Sequence, residues 1–267
     1  MKISRCNIAG DLTDKLGRTA GPFMKDTQVT FLDGFGREEQ GVDEDGLTRE
    51  LYTEYWKQIV GQGSGGGVGC GGGGGGGSSS SSQSLFRAAN DNSLVFLPVP
   101  HDKESCSGGG CGFYDVGRIL LKCFLEMHVL PRRYFPRTLL QYLVSPDKAT
   151  AILSLPSTDE GVEAALNELR GYDEVEAKSL HNMYQQNMDG AGFEVAEFDG
   201  SSNTEPVTND NKAQCIIAKV KRRLLIDNRD ALDCMRDGFR LVALAGKDKG
   251  EPTIDITSHL AVRVIRR

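Results

Sequence analysis

Apolar residues recur at three- and four-residue spacing through much of the chain. Val116, Ile119, Leu120, Cys123, Met127 and Leu130 make one such stripe, the mark of a helix with one face in a core. Pro131 should stop it, because proline has no N–H to donate and clashes with the preceding turn. Ser157 followed by Glu160 predicts a capping box ahead of a second helix, whose inner face is Val162, Ala165, Leu166 and Leu169. A third helix carries Val175, Leu180, Met183 and Tyr184, with Gly190 placed as its C-terminal stop. Asn209 or Asn211 caps a fourth, with Ala213, Ile216, Ile217, Val220 and Leu224 inward. Strands are few and short: Val29 to Leu32, Leu94 to Leu97, and Phe193 to Phe198, where Phe193 and Val195 alternate with Glu194. The pattern predicts a mainly helical α+β fold.

Two stretches break the periodicity. Residues 61–84 are a Gly/Ser tract, unbroken glycine from Gly71 to Gly77 and serine from Ser78 to Ser82. Such a run cannot bury apolar area to offset its chain entropy, so a flexible loop is expected. No Gly-Lys-Ser/Thr follows it, which excludes a phosphate-binding loop. Ser105 to Gly112 is a second, smaller Gly-rich loop.

Composition adds exclusions. The 31 basic and 37 acidic residues leave a net charge of −6 with no long basic stripe, so nucleic acid is not an expected partner. No run of about 18 apolar residues occurs, and none is expected to span a membrane. The first residues lack an apolar signal region, and a cytoplasmic or nuclear location is expected. The seven cysteines, Cys6, Cys70, Cys106, Cys111, Cys123, Cys215 and Cys234, are odd in number and scattered, a poor basis for a disulfide framework. Cys106 and Cys111 have no second pair or histidine set to complete a zinc site and read as loop thiols, so no metal or cofactor is expected. His101, His128, His181 and His259 fall in no H-E-x-x-H, and no G-x-S-x-G occurs. Asp43, Glu44 and Asp45 read as a solvated turn.

Four segments, in order, resemble the N-lobe of HECT-type ubiquitin ligases. The first comprises Arg5-Cys6-Asn7-Ile8 and Asp11-Leu12, then Val29-Thr30-Phe31, then Glu39 to Glu50, which is similar to the family run E-x-G-x-D-x-G-G-x-x-R-E with Asp45 in place of the first paired glycine. The second is Leu85-Phe86 with Leu94 to Pro98, following a loop in which the Gly/Ser tract falls. The third is Val116-Gly117-Arg118 to Cys123, with Leu130-Pro131 and Phe135 after it. The fourth is Val207-Thr208-Asn209-Asp210-Asn211-Lys212, close to V-T-N-E-N-K, with Asp237-Gly238-Phe239 beyond.

This resemblance implies that residues 1–267 form one HECT N-lobe, with a large helical subdomain and a smaller docking subdomain. In the family that lobe docks a ubiquitin-conjugating enzyme. A cysteine on the C-lobe then carries ubiquitin as a thioester before a substrate protein receives it. No cysteine here has the family's Thr-Cys-Phe setting, and Cys215 and Cys234 read as packing residues on helices. From Phe239 the chain runs only to Arg267, too short for a catalytic lobe of roughly a hundred residues. The expectation is therefore a lobe without its thioester cysteine, inactive alone. The resemblance assigns Glu176, Leu180, Gln186, Ala191, Cys215 and Lys219 to the conjugating-enzyme groove. Only Leu180 keeps a large apolar side chain, and the polar replacements should weaken docking to an apolar partner. Two functions stay open: a ligase whose catalytic lobe lies elsewhere, and a non-catalytic scaffold or binding module derived from such a lobe.

Overall fold

A computed structural model of the chain describes residues 1–17, 28–39, 46–61, 84–90, 93–100, 112–127, 131–152 and 154–245. The architecture is mainly helical α+β, as the periodicity predicts. Nearly all of the Gly/Ser tract, the whole acidic turn at 43–45, the loop at 105–111 and the C-terminal residues beyond Ala245 lie outside the described residues. So do Cys70, Cys106, Cys111, His101, His128 and His259. The chain divides into two compact units: Met1–Arg87, Asp102–Tyr134 and Cys234–Ile254 form one, and Ala88–His101, Phe135–Asp233 and Asp255–Arg267 the other.

In the first unit, β1 (Lys2–Ser4) and β2 (Thr30–Leu32) pair in parallel, with Ile3 opposite Phe31 and both side chains buried. Helix α1 (Ile8–Leu12) packs on α2 (Gly46–Gly61), and the Ala9 N–H donates to Gln58 Oε1 at 2.9 Å. Leu51, Tyr52, Tyr55, Trp56, Ile59 and Val60 are buried along α2. Arg5 draws together segments far apart in sequence. Its guanidinium donates to Glu39 Oε1 at 2.5 Å and Oε2 at 2.8 Å, and to Glu50 Oε1 at 2.7 Å, while lying 4.1 Å from the Phe31 ring centroid.

Helix α3 (Gly112–Met127) is buried through most of its length, including Val116, Ile119, Leu120 and Cys123 of the predicted stripe. Its polar positions Asp115, Arg118 and Lys122 are buried too. Lys122 Nζ lies 2.9 Å from Glu126 Oε1, and the Tyr52 hydroxyl donates to the other Glu126 oxygen. Such a pair is tolerated in a core because each member answers the other; removing either alone would strand a buried charge. α3 crosses α10 (Arg229–Ala245) at unusually close range. A Cβ on Gly117 would lie 1.9 Å from the Met235 carbonyl oxygen, and one on Gly238 would lie 2.1 Å from the Tyr114 carbonyl oxygen. Both glycines are therefore steric requirements of the crossing, which explains their place in the two motifs.

In the second unit, β3 (Phe96–Pro98) is followed by α4 (Arg137–Val144), α5 (Pro146–Ile152), α6 (Asp159–Arg170), α7 (Glu174–Gln185), α8 (Val195–Asp199) and α9 (Lys212–Leu224). α6 packs against α7 and α9, and α8 and α7 also meet α9. The core is built by Val162, Ala165, Leu166 and Leu169 of α6 with Ala177, Phe198, Ala213, Ile216, Ile217, Val220 and Leu224. A buried hydrogen bond of 2.8 Å from the Tyr142 hydroxyl to Asp233 Oδ1 ties α4 to the first turns of α10.

Several local expectations are corrected. The cap of α6 is Thr158, not Ser157: its hydroxyl accepts from the Gly161 N–H at 3.3 Å, because the extended backbone of Thr158 directly precedes the first helical residue. α7 ends at Gln185, well before Gly190. Phe193 to Phe198 is not a strand. A single bridge, Glu194 to Pro206, forms there, with the Val207 N–H donating to the Phe193 carbonyl at 2.8 Å and the Val195 N–H to the Glu205 carbonyl at 2.9 Å, and the Glu194 N–H donates to Glu197 Oε1 at 3.0 Å where helix α8 starts. Three alternating positions were too few to outweigh that cap. Asn211 stands before α9, but its Oδ1 accepts from the Thr208 N–H at 2.8 Å rather than from a backbone N–H of the helix. Cys234 is disulfide-bonded, whereas packing alone was expected of it.

Candidate functional site

The candidate docking residues lie in the second unit, on α7, α9 and the loop after α7. α7 begins where Asp173 accepts from the Glu176 N–H at 2.9 Å, a side-chain cap that sets which residues face α9. Ala177 and Leu180 then point into the core, 0% and 5% exposed. Val175, expected inward, is 70% exposed: once the cap fixes the helix phase, the stripe through Ala177 and Leu180 leaves Val175 on the outer side.

The six positions separate into three groups. Leu180 and Cys215 are buried, at 5% and 3% exposure, and serve as packing beneath the surface. The Cys215 thiol is held above its ordinary pKa, first by burial and then by the negative charges of Asp199 and Glu205. Its Sγ donates weakly to Asn211 Oδ1 at 3.9 Å. Glu176 and Lys219 line one cleft of about 140 Å³ with Arg222, Arg223 and Asp227. There Arg223 Nε donates to Glu176 Oε2 at 3.0 Å, and Lys219 Nζ donates to the Glu197 carbonyl at 3.1 Å. Gln186 and Ala191 are exposed on the loop after α7. The Gln186 carbonyl accepts from Lys212 Nζ at 3.0 Å, and Asn209 ties the loop down through Nδ2 to Asn187 Oδ1 at 2.6 Å and Asp189 Oδ2 at 2.7 Å. Phe193, 37% exposed, packs edge-on against Phe198 beside this loop.

A separate, wider cleft of about 450 Å³ is lined by Asp159, Val162, Glu163, His181, Tyr184, Gln185 and Lys212. The Tyr184 hydroxyl donates to Asp159, which raises the tyrosine's pKa, and His181 Nδ1 lies 3.5 Å from Glu163 Oε2. Among the described residues no group of three or more His, Cys, Asp or Glu side chains is placed to hold a metal ion, and no helix is long and apolar enough to cross a membrane. Cys123 is not prepared as a nucleophile. Burial pushes the Cys123 thiol up to about 12 despite a hydrogen bond with Trp56 that works the other way, and the thiolate is the reactive form.

A family model, HECT-domain (ubiquitin-transferase), matches residues 78–247. The chain belongs to the HECT family. The match covers well over half of the chain and takes in α3 to α10; the opening segment, Arg5 to Glu50, lies ahead of it. None of the curated proteins matches the chain. HECT domains act with ubiquitin-conjugating enzymes, ubiquitin and protein substrates. Within this HECT chain, sequence reasoning missed Arg222, Arg223 and Asp227. The signal for the arginines was the basic run Lys219 to Arg223 at the end of α9, which suits the helix dipole and so draws no notice by itself.

Proposed function

We propose that the second unit docks a ubiquitin-conjugating enzyme as the N-terminal lobe of a HECT ubiquitin ligase, and that the thioester is formed on a cysteine outside the described residues. The family match over residues 78–247 carries this reading. In the transfer, a ligase thiolate attacks the conjugating enzyme's thioester carbonyl and expels that enzyme's thiol. A substrate lysine amine then attacks the new thioester, forming the isopeptide and releasing the cysteine. Neither Cys123 nor Cys215 fits the role, since burial holds both thiols protonated. The contribution of this chain is positional: it converts a meeting of two proteins into an oriented one.

The test has two parts. Mixed with activating enzyme, conjugating enzyme, ubiquitin and ATP, the chain should form no reducible ubiquitin adduct on Cys123 or Cys215. Titration with conjugating enzymes should shift the amide resonances of Glu176, Gln186, Ala191 and Lys219. An adduct lost on Cys215→Ser, or shifts confined to the first unit, would overturn the reading. A second reading, a non-catalytic scaffold, draws on Glu176 and Lys219 already having partners at 3.0 and 3.1 Å inside their own unit. It requires that no conjugating enzyme binds at all.

A further inference from the structure

Two aliphatic side chains of the second unit project from its surface. Val175 opens α7 at 70% exposure, and Ile226, in the turn after α9, is 51% exposed. Each is followed by an acid held by an arginine of α9. Glu176 Oε2 accepts from Arg223 Nε at 3.0 Å, and Asp227 Oδ1 accepts from Arg222 Nε at 3.0 Å. These four charged groups and Lys219 line the cleft of about 140 Å³. Three cations face two carboxylates there, so the lining is net positive in a chain whose net charge is −6.

The cationic side of the cleft is fixed in place. Lys219 reaches the Glu197 carbonyl on α8. The Arg222 guanidinium lies against Gly200, which ends α8 at φ +75°; a Cβ there would come within 2.7 Å of Arg222 Cζ. Side chains ordered in advance lose less entropy on binding. The volume falls below the roughly 300 Å³ of a small-molecule pocket, so the cleft suits one or two side chains of a protein.

We infer that this cleft selects a conjugating enzyme by charge, taking a surface that presents a carboxylate beside an apolar side chain. The carboxylate goes to Lys219, Arg222 and Arg223, and the apolar group lies against Val175 and Ile226. The inference rests on the docking reading above. A basic surface would meet net repulsion here, and a wholly apolar one would desolvate the two ion pairs without replacing their water. Glu176 and Asp227 compete with the incoming carboxylate, which gives the test opposite signs within one cleft.

Calorimetry with purified conjugating enzymes, grouped by an acidic or a basic docking surface, decides it. The acidic group should bind more tightly, and more weakly as salt rises from about 50 to about 300 mM. Lys219→Glu should weaken that binding about two- to fivefold, and Glu176→Gln, which releases Arg223, should strengthen it by a similar factor. Val175→Ser, a change at an exposed position, should weaken binding while leaving the thermal melt in place. Tighter binding by the basic group, indifference to salt, or a shift in the same direction for Lys219→Glu and Glu176→Gln would overturn the inference. If an enzyme binds with amide shifts at Ala191 and Phe193 while all three variants are silent, docking stands and selection by this cleft does not. If no enzyme binds, both fail.

Discussion

Replacing Gly117 by alanine should destabilise the first unit, although alanine is the better helix former. The added Cβ would sit 1.9 Å from the Met235 carbonyl oxygen and 2.8 Å from its carbon, and both are backbone atoms that no rotamer change can move. α3 and α10 must therefore separate or slide by roughly an ångström, and a gap of 0.5–1 Å forfeits about a quarter to a half of a contact's dispersion energy. Overpacking of this kind costs about 1–3 kcal/mol and occasionally more. The intrinsic gain of alanine over glycine in a helix returns about 1 kcal/mol. The backbone clash puts Gly117→Ala at the upper end of that cost, leaving a net loss of about 1–3 kcal/mol. That corresponds to roughly 2–12 °C in melting temperature at about 2–4 °C per kcal/mol for a protein of this size. Gly238→Ala, 2.1 Å from the Tyr114 carbonyl oxygen, should behave alike. The double variant should cost less than the sum, because one displacement of the helices relieves both clashes. Gly46→Ala is the comparison, having nothing within 4 Å of its added Cβ. Thermal melts followed by circular dichroism give the result. A Gly117→Ala protein that melts at or above wild type, or strict additivity in the double variant, would refute the steric argument.

Of Cys6, Cys123 and Cys215, iodoacetamide at mildly alkaline pH should modify exposed Cys6 first and leave Cys123 and Cys215 largely unmodified, since both are buried with raised thiol pKa values. Mass spectrometry reads the order, and labelling of Cys215 as fast as Cys6 would contradict its placement. In the Arg5 cluster, the hydrogen bond from Arg5 holds the Glu39 pKa below its usual 4.5. A depressed carboxylate stabilises the fold above its unfolded pKa and loses that contribution as pH falls through the folded value. Glu39→Gln should therefore flatten the acid side of the melting profile below about 4.5, and identical acid slopes for the two proteins would show that the pair does not couple to folding.

How much could be read along the chain depended on how local the cause was. The helices α3, α6 and α9 were legible because periodicity near 3.6 over a dozen residues is a local property, and their inner faces are the buried ones. Phe193 to Phe198 was misread because its alternation spans few residues, and the back-bond between Glu194 and Glu197 outweighs it. Val175 was misplaced because helix phase is set at the Asp173 cap and by the neighbours of Ala177 and Leu180, not by hydrophobicity alone. The six docking positions, aligned by resemblance, carried no information about depth. Packing of α6, α7, α8 and α9 buries Leu180 and Cys215 and leaves Gln186 and Ala191 at the surface. The same distinction holds in the motifs. Arg5, Phe31, Glu39 and Glu50 were visible as separate fragments, and only the fold makes them one cluster. The sequence by itself determined the inner faces of α3, α6 and α9 and the family, because these are written in short-range pattern. Tertiary structure alone decided why Gly117 and Gly238 must lack side chains and which charges meet at Glu176, Lys219, Arg222, Arg223 and Asp227, because those contacts join residues that only folding brings together.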